Sequence, residues 1–282
     1  MQDYPLVSIC IPVYNGANYI DETLKCCINQ SYKNIEIIVS DNCSTDNTLE
    51  LIKQYNDPRI KIFSNLKNEG LLYNFKKVFT YANGKYMSFL GADDGMEHDA
   101  IEKSVSILEN HAYNNVVLVN TYIQIINSES KTVFVKKFIF GGGFCSSFWA
   151  IRSNFLYGSN TIGEPNGSVW RKEAYDKVPE PKFKNGNMWT TDLDLKFELL
   201  LHGDSYVIPE SLGKFRISAQ STSSKELKFD QAKLFRQYAI TLYKDKRYNL
   251  SFLWVITATV NSFLFQIIRN IFYIIFIKNK KQ

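Results

Sequence analysis

Two aspartates stand side by side in "YMSFLGADDGM", residues 86–96. An apolar run, Tyr86 to Leu90, stops abruptly just before them. Adjacent carboxylates repel, so the pair is best tolerated when exposed or when a cation sits between the two groups. Asp93 and Asp94 therefore read in two ways: a solvated loop in which one of them caps a helix, or an all-oxygen site for a hard cation. No other metal set is visible. His98, His111 and His202 lack HExxH-type spacing, and Cys10, Cys26, Cys27, Cys43 and Cys145 contain no CxxC pair.

The elements that must position the pair alternate in type. "LVSICIPVYN" (6–15) is a short apolar run ending at a loop, and "YIDETLKCCINQS" (19–31) has apolar residues at helical spacing. Ile35 to Val39 predicts a second buried strand that runs into a polar turn, followed by a helix over "TLELIKQYN". "RIKIFSN" (59–65) predicts a third strand, "LLYNFKKVFTYA" (71–82) a helix stopped by Asn83-Gly84, and "KYMSFLG" (85–91) a fourth strand. Alternation of this kind builds a parallel sheet with covering helices. Ligands of such sheets bind beyond the carboxyl ends of the strands. The polar clusters at 14–16, 41–46 and 93–95 all fall at strand ends, so they should converge on one crevice.

Beyond residue 115 the pattern changes. "NNVVLVNTYIQIIN" predicts one long strand or a strand pair, and the Gly-, Ser- and Asn-rich stretch 141–168 predicts irregular structure. "TDLDLKFELLLHGD" (191–204) predicts an amphipathic helix and "SYVIPESLGKFRIS" (205–218) an extended segment.

The 282 residues suffice for one large domain, or for a domain with an appendage. A net charge of +5 permits an anionic partner without naming one, and no nucleic acid is expected. An odd number of cysteines without a framework points to a reducing compartment. The N-terminus is no signal peptide, because Asp3 stands where a basic region belongs and Pro12 breaks the short apolar run.

The string "VSICIPVYNGANYIDETLKCCINQSYKNIEIIVSDNCSTDNT" resembles the nucleotide-binding half of family 2 glycosyltransferases. "NEGLLYNFKKVFTYANGKYMSFLGADD" and "TDLDLKFELLLHGD" are similar to the next two signatures of that family, and the resemblance spans about residues 5–222. It implies an α/β GT-A fold, a Rossmann-like nucleotide-binding sheet (about 1–97) fused to an acceptor-binding half (about 98–224). It also implies roles. Pro12, Tyr14, Asn15, Asp41 and Asp93 would bind the nucleotide, with Tyr14 stacking on the base and Asp41 accepting the base N–H. As a bare sequence feature Asp41 is equally a turn or N-cap aspartate. Asp93-Asp94 matches the DXD-type signature, so Asp94 would ligate Mn²⁺ or Mg²⁺ while Asp93 faces ribose or sugar. Asp192 would be the general base of an inverting transfer, Asp194 being the lesser candidate. Burial would raise the pKa of Asp192 and the helix dipole would lower it. Glu164 and Trp170 fall in a loosely matching acceptor-side loop. Arg216 would pair either with diphosphate or with a helix-end carboxylate.

The chain departs from the family pattern at three places. Gly91 stands where relatives often have an aspartate, Thr191 replaces a glutamate, and Ser218 replaces a histidine that can reach metal or diphosphate. These losses support an alternative, a catalytically impaired GT-A protein that binds nucleotide sugar or serves as a scaffold. Processive relatives carry Q-x-x-R-W; "QIIRN" (266–270) lacks the Trp, so single or few sugar additions are expected. A nucleotidyltransferase would need a basic phosphate loop after the first strand, which "PVYNGANY" lacks.

Residues 225–282 predict a helical, membrane-associating segment. Asn261, Ser262, Gln266, Arg269 and Asn270 draw one polar stripe along an otherwise apolar stretch. Lys244, Lys246 and Arg247 precede that stretch, and Lys278, Lys280 and Lys281 follow it. A basic cluster at each end argues against spanning and for a helix or hairpin lying in the interface. A true span and a self-associating or core helix are the other readings. The expectation is an inverting, metal-dependent transferase at the cytoplasmic face of a membrane. Its donor would be a UDP- or dTDP-sugar and its acceptor a lipid-linked glycan, in cell-surface polysaccharide synthesis.

Overall fold

The computed structural model describes residues 4–139, 141–180, 182, 190–217 and 230–276. Ser218 and the lysines at 278, 280 and 281 lie outside them. Four strands lead the chain: β1 (Val7–Val13), β2 (Ile35–Asp41), β3 (Ile60–Ser64) and β4 (Tyr86–Phe89), mutually parallel in the order β3-β2-β1-β4. Every residue of β2 and β4 is buried, the polar Glu36, Ser40, Asp41 and Ser88 included, as in a sheet covered on both faces. Helices α1 (Ile20–Ile28), α2 (Thr48–Lys53) and α3 (Leu71–Val78) connect them.

The second half continues the same sheet. β5 (Gly95–Met96), α4 (Ala100–Leu108), β6 (Val116–Ile126), β7 (Thr132–Lys136) and β8 (Gly143–Cys145) follow. Then come α5 (Ser147–Tyr157), β9 (Val169–Arg171), α6 (Lys172–Asp176), α7 (Thr191–Leu200) and β10 (Asp204–Arg216). Short β9 lies antiparallel between β4 and β6 and joins the two halves into one ten-stranded sheet among the described residues, ordered β3-β2-β1-β4-β9-β6-β10-β5 with β7 paired to β6 and β8 to β10 off this path. The stretch 141–168 is therefore not irregular. It holds β8 and the eleven-residue α5, whose apolar face is masked in the sequence by Gly- and Ser-rich flanks.

Helix α7 is not amphipathic either. Of its ten residues only Asp192 is not buried. Its charges are satisfied by the C-terminal part of the chain, α8 (Asp230–Lys244) and the turn after it. Tyr238 donates its hydroxyl to Asp194 at 3.0 Å, and Arg247 donates to both oxygens of Glu198 at 2.8 and 2.9 Å. Buried carboxylates persist when paired in this way. Phe235, Tyr238, Ala239 and Leu242 of α8 share one core with Phe197 and Leu199 of α7, so α8 is packed into the body of the protein.

The last helix, α9 (Phe252–Phe276), is turned inside out. Val255, Ala258, Ser262 and Gln266 form its buried stripe, against α5 and α8. Leu253, Ile256, Val260, Leu264, Ile267 and Ile271 are exposed. The polar stripe read from the sequence thus faces protein at Ser262 and Gln266, not water. No helix among the described residues is long and apolar enough to cross a membrane.

Candidate active site

The carboxyl ends of β1, β2 and β4 form the floor of the site. Val13 is in register with Asp41, so Tyr14 and Asn15 leave β1 beside the β2 turn. Pro12 is tolerated within a central strand because β4 has already ended at the Cys10–Phe89 pair. Tyr14 is 46% exposed, which leaves a ring face open to a ligand. Asn15 holds a left-handed backbone (φ 51°), and its side chain accepts from Thr45 N at 2.8 Å. Ser44 Oγ accepts from Asn15 N and donates to Asp41. Asp41 is buried and also accepts from Ser44 N, so it builds the turn that braces the Tyr14 loop. Its role as a turn aspartate is plain in the geometry, and its second lone pairs are what a base N–H would use.

The Asp93-Asp94 loop is clamped from three sides. Thr23 Oγ1 donates to Ala92 O and Asp94 O, at 3.0 and 2.8 Å. Asp94 points inward: Oδ1 accepts from Arg216 N at 2.8 Å and Oδ2 from Asn166 Nδ2 at 2.7 Å. Burial pushes the Asp94 carboxyl well above the usual range, and the Asp93 charge pushes it further. Asp93, half-buried, is raised by burial as well. Gly91 creates the space for this arrangement. A Cβ there would lie 2.2 Å from Asp94 Oδ2. The glycine is the condition for the inward Asp94, and not merely a missing third carboxylate.

Arg216 has a side chain only 1% exposed, and its donors are committed. Nε donates to Asp93 O at 2.7 Å, one terminal nitrogen to Asn127 O and Ser130 Oγ, the other to Glu22 of α1 at 2.9 Å. The guanidinium also lies over the Tyr19 ring at 4.3 Å. Four side-chain hydrogen bonds thus tie Arg216 to protein partners. Arg216 pairs with the helix-end carboxylate and holds the Asp93-Asp94 loop by its backbone.

Asp192 opens α7 with its carboxylate toward the loop 160–164. Asn160 Nδ2 donates to it at 3.4 Å. Burial raises its pKa to about 6, the Glu164 charge adds to this, and Lys196 opposes it. Burial therefore outweighs the Lys196 charge and the backbone N–H of Leu193. Lys196, one turn on, is itself buried and donates to Asn120 Oδ1 and to the carbonyls of Ile162, Gly163 and Glu164 at 2.9–3.1 Å. Burial lowers its pKa to about 7. Glu164 is half-buried and ion-paired with Lys136 at 2.7 Å, so its carboxylate is already engaged. Trp170 is 1% exposed in β9, edge-on to Phe79 at 5.7 Å. It is a core residue and cannot touch an acceptor sugar.

The family model "Glycosyl transferase family 2" matches residues 8–178. The chain belongs to glycosyltransferase family 2. An uncharacterised glycosyltransferase of Haemophilus influenzae is 30% identical over 255 residues, covering 87% of this chain and 76% of the relative. A putative teichuronic acid biosynthesis glycosyltransferase of Bacillus subtilis, TuaG, is 36% identical over 106 residues, 37% of this chain and 42% of its own. The solved structure of S. aureus TarS 1–349 in complex with UDP-GlcNAc superposes with a TM-score of 0.67 at 15% identity, covering 91% of this chain and 71% of that one. The fold of this glycosyltransferase is GT-A.

Two residues of the family 2 site escape a motif reading. Asn166 ties Asp94 to the acceptor loop, and its only signal is the Pro-Asn-Gly turn around it. Lys196 looks like an ordinary helix lysine, since nothing local reveals that its partners lie 32 to 76 residues away. A metal fits the remaining chemistry. Asp93 has no hydrogen-bonding side-chain donor among the described residues, and the nearby Arg216 charge does not offset the burial that raises both carboxyls. Among the described residues no third acidic, His or Cys side chain joins them. Mg²⁺ or Mn²⁺ is held by one or two carboxylates, the other positions being filled by phosphate and water.

Proposed function

We propose that this family 2 glycosyltransferase is an inverting enzyme that moves a sugar from a UDP- or dTDP-sugar to a glycan hydroxyl. The observation that carries the reading is the Asn166 link. It joins Asp94, at the donor end, to the loop that packs against Asp192, at the acceptor end. Tyr14 would stack on the base, with Asp41 and Asn15 shaping the loop beneath it. Asp93 and Asp94 would hold Mn²⁺ or Mg²⁺, which when bound neutralises charge on the departing diphosphate.

Asp192 would take the acceptor hydroxyl's proton. A carboxyl with a pKa of about 6 is ionised at neutral pH yet more basic than a solvated one. Attack from the face opposite the diphosphate would invert the anomeric centre. The similarity to TuaG supports a role in polysaccharide synthesis. The exposed apolar side of α9 is what favours a lipid-linked acceptor and a peripheral place at the inner face of the cell membrane. The fully engaged oxygens of Asp94 favour a second reading, a nucleotide-sugar binder without turnover.

A screen of nucleotide sugars, with and without Mn²⁺, tests both. Metal-dependent release of UDP or dTDP supports transfer. Tight donor binding with no release from any donor, with or without acceptor glycans, would leave the binder.

A further inference from the structure

The exposed side of α9 is an apolar surface on the wrong side of its helix. Between Leu253 and Ile271 the exposed side chains among the described residues are all apolar, while Ser262 and Gln266 are buried. Water cannot be the solvent that selects such an orientation. α5 continues the surface. Phe148 and Trp149 are 51% and 52% exposed, and Leu156 and Tyr157 follow two turns later on the same helix. The two helices touch at one close point. Gly158, at the left-handed end of α5 (φ 61°), leaves no room for a Cβ against the backbone of Asn261 and Ser262, and Asn261 Nδ2 donates to Leu156 O.

We propose that the open faces of α5 and α9 form a single docking surface for an anionic lipid leaflet, and that α5 thereby sets the acceptor loop against that leaflet. The charges select this occupant over a second copy of the chain. From residue 246 onward the sequence carries Lys246, Arg247, Arg269, Lys278, Lys280 and Lys281 and no acidic residue, with Arg247 paired to Glu198 and Asp245. Two copies of so basic a segment would repel each other, whereas anionic headgroups complement it. The aromatics Phe148, Trp149, Tyr157 and Phe252 are of the type that settles at the headgroup level. The α5 end runs directly into Asn160 and the 162–164 loop held by Lys196 beside Asp192. An acceptor whose glycan is anchored in the same leaflet would meet the base there. This deepens the lipid-linked acceptor reading and rests on it.

The test uses the full chain and vesicles of phosphatidylcholine with and without phosphatidylglycerol. Wild-type protein should sediment with the anionic vesicles and progressively less as salt rises. Two variants, Phe148→Ser/Trp149→Ser on α5 and Ile256→Ser/Val260→Ser/Leu264→Ser on α9, should each bind at least about tenfold more weakly. Brominated acyl chains should quench a component of the emission that Trp149→Phe removes. Both variants should keep their wild-type melting behaviour and release nucleotide from donor in lipid-free buffer at the wild-type rate. That readout separates failure of the surface from failure of the catalytic reading. The proposal is overturned if the α5 variant binds vesicles as wild type does. It is equally overturned if the wild type ignores vesicles and sediments as a stable dimer.

Discussion

Lys196 lies one helical turn beyond Asp192, and the two charges oppose the effect of burial on each other. Burial alone drives the carboxyl up and the ammonium down; their attraction pulls both back, leaving them at about 6 and about 7. The Asp192 carboxylate is thereby kept ionised near neutrality by a cation that also holds the 162–164 loop.

Removing that cation should move the acid limb of kcat/KM. Activity requires the Asp192 carboxylate, so it rises with pH through about 6. In Lys196→Met the favourable charge is gone, the Asp192 pKa climbs, and the acid limb shifts alkaline by about one pH unit. Any alkaline fall near 7, where Lys196 sheds its proton, disappears in the same variant. A pH profile that keeps both limbs in place would show that Lys196 is a packing element alone.

Gly91→Asp restores the acidic residue that relatives often carry, and it should harm this enzyme. Its Cβ would push against Asp94 Oδ2 and break the Asn166 bond. Overpacking of this kind costs about 1–3 kcal/mol. Gly91→Ala should show the same loss, at least about tenfold in kcat/KM. Tighter Mn²⁺ dependence or higher turnover in Gly91→Asp would contradict the role given to the glycine.

Trp170 separates core from acceptor site. Trp170→Ala should lose about 3–5 kcal/mol of unfolding free energy by denaturant titration. Trp170→Phe, which keeps most of the packing with Phe79, should leave the acceptor KM within about twofold of wild type. A selective rise in acceptor KM would return Trp170 to the sugar surface.

Tyr14 is the exposed ring at the nucleotide end. Tyr14→Ala should weaken UDP binding by about 1–3 kcal/mol in calorimetry, the worth of one stacked base, while Tyr14→Phe binds normally. Equal affinity in the alanine variant would place the base elsewhere.

Much of this site was legible in the chain because strand ends punctuate it. Asp41 and the Asp93-Asp94 pair each follow an apolar run, and parallel sheets gather such ends at one edge. What stayed hidden depends on distant partners. Asp194 and Glu198 make α7 look amphipathic until Tyr238 and Arg247 are seen to bury them. Arg216 leaves diphosphate and a helix-end carboxylate equally open as partners until Glu22, Asn127 and Ser130 are found beside it. For α9, periodicity reveals that a polar stripe exists, but not that the stripe faces protein. Segment 147–157 hides its helix because its exposed face is apolar too, at Phe148, Trp149, Leu156 and Tyr157, which leaves little amphipathic contrast to detect.

The central claim is that Asp192 is the base of a glycosyl transfer from a nucleotide sugar. The direct measurement compares wild type with Asp192→Asn, an isosteric change, in single-turnover transfer and in donor binding. Turnover should fall by about 10²–10⁴-fold while the donor Kd stays unchanged. Transfer by Asp192→Asn at a rate close to wild type would contradict the account.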